Sequence, residues 1–197
     1  MVMPAATPPS PPSPVRWNRA MLESLPDDGQ RHEIIDGVHY MTPSPASPHQ
    51  YVVTELIVAL HAYCKAERVG WIYAAPSDIE LAEDTIVQPD ITVLRRSGDR
   101  PPRNWASGGL PLLVIEIISA SSASRDRILK RRRYQRAGIA EYWIVDPEAR
   151  LVERWRPSDE RPEIITDTLR WLPDGAPNEF SFAVGPIFAA IADDQTA

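Results

Sequence analysis

Cysteine is almost missing: this 197-residue chain has one, Cys64. A lone thiol excludes an internal disulfide framework and any zinc site built from several cysteines, so a reducing, cytoplasmic address is expected. Long apolar runs are missing as well. Leu56 to Leu60, Leu112 to Ile115 and the Gly/Pro-interrupted Phe182 to Ala192 fall far short of the ~20 residues of a membrane helix. The opening MVMPAATPPS has neither the basic cluster nor the apolar segment of a secretory signal. There is no glycine-rich phosphate loop and no G-x-S-x-G elbow, which leaves nucleotide kinase and serine hydrolase readings unsupported. His32, His39, His49 and His61 lack metal-ligand spacing.

What is present suits one compact core, since 43% of residues are hydrophobic and the length lies below the ~250 residues at which cores split. The net charge of −6 argues against a protein that coats nucleic acid with its whole surface. A local field opposes that average. Arg125, Arg127, Lys130, Arg131, Arg132, Arg133 and Arg136 face a single acid, Asp126, in one twelve-residue window. Such a run is ordinarily a solvated helix face and otherwise a surface for phosphate or another anion.

Six of the 21 prolines fall within the first 14 residues, so residues 1–15 are expected to be a disordered tail, followed by one domain over 16–192. A short helix carrying Trp17, Met21, Leu22 and Leu25 is predicted to end at Pro26. Residues 31–35 and 38–42 flank Asp36 and Gly37, the pair that suits a tight type I′ hairpin. Ser47 as N-cap and Pro48 in the first turn start a helix running to about Arg68, with Gly70 as its stop. Strands are predicted at Trp71 to Ala75, Asp78 to Leu81, Ile91 to Leu94, Leu112 to Ile118, Tyr142 to Val145, Leu151 to Trp155 and Glu163 to Leu169. A helix spans about Ser124 to Arg136 and stops at Gly138. The segment FSFAVGPIFAAI reads equally as strand or helix.

Glu116 is the most informative residue, because it sets an acid inside LLVIEII, otherwise apolar on both faces as in a covered central strand. An unpaired carboxylate there is strongly disfavoured, so it needs a metal ion, a basic partner or a proton. Asp90 follows Pro89 at a strand entrance, where a turn or cap role is the ordinary reading. A second carboxylate in a neighbouring strand changes its weight: two adjacent acids repel unless a cation lies between them, and hard oxygen donors select Mg²⁺ or Mn²⁺. On a helical wheel Lys130 shares a stripe with Asp126, Tyr134 and Ala137, while most of the arginines point away. It faces inward toward the strand acid, or makes only an i, i+4 bridge with Asp126. Glu33, in the poorly alternating RHEII, reads as an exposed strand acid or a further ligand, and His49 as a cap, surface or functional residue.

The ordered set of PD at 89–90, VIEIIS at 114–119, Asp126 with Lys130 and Tyr134, EYWIVDP at 141–147, HEIIDG at 32–37 and PHQ at 48–50 resembles a bacterial restriction-endonuclease family within the PD-(D/E)XK nuclease superfamily. The resemblance covers about residues 17–190. It implies an α/β (α+β) fold, a restriction-endonuclease-like mixed β-sheet flanked by helices. It further implies Asp90 and Glu116 as acids for Mg²⁺ or Mn²⁺, Glu33 as an additional acidic member and Lys130 as the catalytic amine. Ile118 stands where the common superfamily pattern has lysine, and SASS at 119–122 replaces the family's usual SPST. The expected activity is metal-dependent hydrolysis of DNA, with Arg127, Arg131 and Arg132 on the backbone; a homodimer would suit cleavage of both strands. Two rivals differ in class: a nucleic-acid-binding module of the same fold with weak or lost chemistry, and a structural protein in which Glu116 and Lys130 form a buried ion pair.

Overall fold

The computed structural model describes residues 15–42, 44–103 and 108–192. All of the tail expected at residues 1–15 except Val15 lies outside them. Helix α1, Arg19–Glu23, is capped by Asn18, whose side-chain oxygen accepts from the Met21 N–H. Strands β1 (Arg31–Ile35) and β2 (Val38–Thr42) form the predicted hairpin, and Asp36 and Gly37 both take the positive φ of a type I′ turn, 56° and 76°.

Helix α2, Ser47–Glu67, begins at its predicted cap, one residue earlier than expected. Ala46 occupies the N-cap without a side-chain hydrogen bond, so Ser47 lies inside the first turn beside Pro48. Its end also differs from expectation. Arg68 turns left-handed at φ 58° and donates its N–H to Cys64 O, which stops the helix before Gly70. Gly70 instead opens strand β3, Gly70–Ala74, where an added Cβ would lie 2.5 Å from Val93 Cγ1. Its role is close strand approach.

Strands β4 (Ile79–Ala82), β5 (Thr85–Val87), β6 (Ile91–Arg95) and β7 (Pro111–Ile117) follow. A π-helical segment, Arg125–Lys130, then runs directly into α3, Arg131–Ala137, which ends at Gly138 with φ 77°. Strands β8 (Glu141–Asp146) and β9 (Leu151–Trp155) come next. The segment read as one strand over 163–169 divides into β10 (Glu163–Ile165) and β11 (Thr168–Trp171), which join different sheets. The ambiguous C-terminal stretch is strand then helix: β12, Phe180–Ala183, and α4, Gly185–Ala190.

The largest sheet is mixed, in the order β10-β9-β8-β7-β6-β3. Its one parallel pair, β7 with β8, requires a crossover, and the α3 segment supplies it. A second sheet has the order β2-β1-β5-β4, and β11 pairs with β12. Val52, Leu56, Leu60 and Cys64, four residues apart on α2, cover one face of the large sheet with Val93, Leu113, Ile115 and Trp143. On the opposite face Val114, Ile118 and Ile144 pack with Ile35, Tyr134 and Tyr142. All seven residues of β7 are therefore buried, and Glu116 lies on the second face with no solvent to turn to.

Candidate active site

Strand pairing sets the acids. Antiparallel β6 and β7 match Thr92 with Val114 and Ile91 with Ile115, so the next rung brings Asp90 beside Glu116 on the same face. Asp90 Oδ2 accepts the Ile117 N–H at 2.9 Å, which fixes it at this rung. Both acids are almost fully buried, at 3% and 1% exposure. They line a cavity of about 240 Å³ together with Arg31, His49, Arg125, Asp126 and Lys130.

The crossover supplies the amine. Asp126, Lys130 and Tyr134 recur every four residues and are all buried. Lys130 Nζ lies 2.6 Å from Glu33 Oε1, 2.8 Å from Glu116 Oε1 and 3.6 Å from Asp126 Oδ1. The i, i+4 bridge and the reach to the strand acid thus coexist. Tyr134 donates its hydroxyl to Glu116 Oε1 at 3.1 Å, and the Gln88 N–H holds Glu33 Oε1 at 2.7 Å. Glu33 is completely buried, against the exposed reading that RHEII alone favoured, because the hairpin's inner face closes over the acid cluster.

Charge balance explains the protonation pattern. Three buried carboxylates share one ammonium, so burial pushes the Glu116 and Asp126 carboxyls upward, with the neighbouring acids adding to the rise. Burial alone would depress Lys130, yet Glu116, Glu33 and Asp126 outweigh it and hold its proton firmly. Asp90 behaves oppositely. Burial would raise it, but His49 Nε2 at 3.1 Å from Oδ2 and Arg31 Nη1 at 2.7 Å from Oδ1 prevail and bring its pKa to about 2. Sequence reasoning left His49 open and did not single out Arg31, since only the fold brings β1 and the start of α2 to Asp90.

The arginines predicted to contact nucleic acid do not gather at this cavity. Arg127 bonds Asp146 Oδ2 and Glu153 Oε1, each at 2.6 Å. Arg131 donates to Arg127 O at 2.9 Å and lies 4.5 Å over the Trp155 ring. Arg132 is exposed. The charged flank of the helix faces acids and an aromatic ring of β8 and β9, and two of the three guanidiniums are engaged there.

The chain matches the family model described as "Putative restriction endonuclease", Uma2, over residues 19–185. It belongs to the Uma2 family. A solved Anabaena variabilis protein, described as a "putative nuclease belonging to DUF820", shares the fold at a TM-score of 0.67. That match has 21% identity and covers 88% of this chain and 98% of the other. A search of curated proteins found no match. Among the described residues no helix is long and apolar enough to cross a membrane.

The donor chemistry suits a small hard cation. Asp90 and Glu116 offer carboxylate oxygens from one rung, and the oxygens Glu33 Oε2 and Asp126 Oδ1 are buried without a hydrogen-bond partner among the described residues. No cluster of three or more His, Cys, Asp or Glu side chains suited to a metal occurs among those residues. Two protein carboxylates with the remaining positions left to water and substrate is a common arrangement for Mg²⁺.

Proposed function

We propose that this Uma2 protein is a metal-dependent endonuclease that hydrolyses DNA phosphodiester bonds, with Asp90 and Glu116 holding Mg²⁺ or Mn²⁺. The observation that carries this reading is the meeting of two carboxylates on one β-rung with the Lys130 ammonium 2.8 Å from Glu116. A divalent ion bound there supplies Lewis acidity toward a phosphoryl oxygen and lowers the pKa of water. The protein's own residues then have separate tasks. Asp90 is kept ionised by His49 and Arg31, and Tyr134 orients Glu116. Lys130 keeps its proton and can offset charge that builds on the phosphate, an effect worth ~3 kcal/mol or more at a preorganised site.

A second reading draws on the same lysine. Its ion pairs with Glu33 and Glu116 are those of a buried structural lock, which would leave a DNA-binding fold without chemistry. Plasmid cleavage with Mg²⁺, Mn²⁺ or EDTA, alongside calorimetric metal titration, separates the two. The nuclease reading expects cleavage only with metal, and loss of both cleavage and metal binding in Asp90→Ala and Glu116→Gln. Equal activity in wild type and both variants, or DNA binding that ignores metal with no cleavage, overturns it.

A further inference from the structure

We propose that Arg31 and Arg125 form a two-pronged clamp that seats a DNA phosphodiester at the rim of this cavity. The nuclease reading enters only through the identity of the ligand.

The hairpin register brings the two arginines together. Arg31 pairs with Thr42 across β1 and β2, and Arg125, from the π-helical segment, donates its Nη2 to Thr42 Oγ1 at 2.8 Å, so both side chains meet at Thr42 on the cavity wall. Each is anchored along one edge. Arg31 Nη1 holds Asp90 Oδ1 at 2.7 Å, while the Arg125 guanidinium carbon lies 5.6 Å from the Tyr40 ring centroid. Each also keeps a buried Nε that lacks a hydrogen-bond partner among the described residues, although Arg125 Nε stands in an ion pair 4.0 Å from Glu33 Oε2; His49 Nδ1 lacks a hydrogen-bond partner as well. A buried donor without an acceptor is costly, and an anchored guanidinium with a spare N–H is preorganised for a tetrahedral oxyanion.

The cavity is polarised by this arrangement. Asp90, Glu116 and Asp126 supply acids to its wall, while Arg31 and Arg125 bring cations to the same space. A phosphodiester needs this combination, a basic grip on non-bridging oxygens beside acids that take a cation. Arg127 and Arg131 do not line this cavity; they are held against Asp146, Glu153 and Trp155 instead.

The test is fluorescence anisotropy of a labelled duplex oligonucleotide in EDTA, across a salt titration, using the full chain. Arg31→Gln and Arg125→Gln are each expected to weaken binding about tenfold and to lower the slope of log K against log salt by about one. Arg161→Gln, an exposed arginine outside the cavity, reports the effect of charge alone and is expected to stay within about twofold of wild type. Arg125→Lys restores the salt slope without the full affinity if a fork-shaped contact is lost. Thermal melts confirm folding, and Arg125 is decisive because it does not touch Asp90. Binding by Arg125→Gln within twofold of wild type, with an unchanged slope, overturns the clamp. Wild-type cleavage with that result would leave the nuclease reading standing; weakened variant binding without wild-type cleavage would do the reverse.

Discussion

Replacing Lys130 by methionine keeps most of the side-chain volume and removes one charge from the centre of three acids. Nζ lies 2.6, 2.8 and 3.6 Å from Glu33, Glu116 and Asp126, and the lysine is 1% exposed. Deleting one partner of a buried ionic cluster costs about 3–5 kcal/mol, because the remaining charges stay buried and uncompensated. Against a total stability of about 5–15 kcal/mol, that loss is readily measured by urea unfolding. Its pH dependence is the sharper signature. Without the ammonium, the folded acids hold protons that the unfolded chain releases above its ordinary Glu value of 4.5, so variant stability falls as pH rises through that window. The deficit relative to wild type is therefore largest above neutrality and shrinks as pH falls toward 4.5. Cleavage should drop ~100-fold or more in the same variant. A deficit below ~1 kcal/mol, or one that does not change with pH, would refute the role of Lys130 as counter-ion.

Asp90 gives the opposite pH sign. Its carboxyl is held at about 2 against an ordinary 3.8, so its contribution is present above 3.8 and disappears as pH falls through about 2. Asp90→Asn in EDTA should cost about 2–3 kcal/mol at neutral pH and flatten the acid limb of unfolding; parallel acid limbs in the two proteins would count against it. Gly70→Ala should lower stability by about 1–3 kcal/mol in a thermal melt, because the new Cβ meets Val93 Cγ1 at 2.5 Å and Leu94 O at 3.0 Å. An unchanged melting temperature would show that β3 and β6 can part without cost.

Local signals were readable wherever one physical preference dominated. Asp36 and Gly37 specified the hairpin, and LLVIEII announced a strand covered on both sides, because these features depend only on adjacent residues. Strand β5 was missed since three residues carry no measurable period. The segment over 163–169 looked continuous because the string cannot say that β10 pairs with β9 while β11 pairs with β12. Arg127 shows the same limit for charge. A helical wheel sets it at the margin of the Lys130 stripe, but only the fold shows Asp146 and Glu153 waiting there. His49 and Arg31 became site residues through contacts spanning 41 and 59 positions respectively, beyond any local pattern.

The position of the amine follows from the topology. In the common superfamily pattern a lysine stands two residues after the second acid, which here is Ile118. That residue lies on the same side as Glu116, but it is 6% exposed and packs with Ile35, Val114, Ile144 and Tyr134. The parallel pairing of β7 with β8 forces a crossover back over this face, and an inward stripe on that crossover reaches Glu116 from 14 residues further along. The stripe carries Asp126, Lys130 and Tyr134, so the amine arrives with a counter-ion one turn before it and a hydroxyl one turn after it. Moving the amine to the helix therefore leaves position 118 apolar and gives the buried charge its partners.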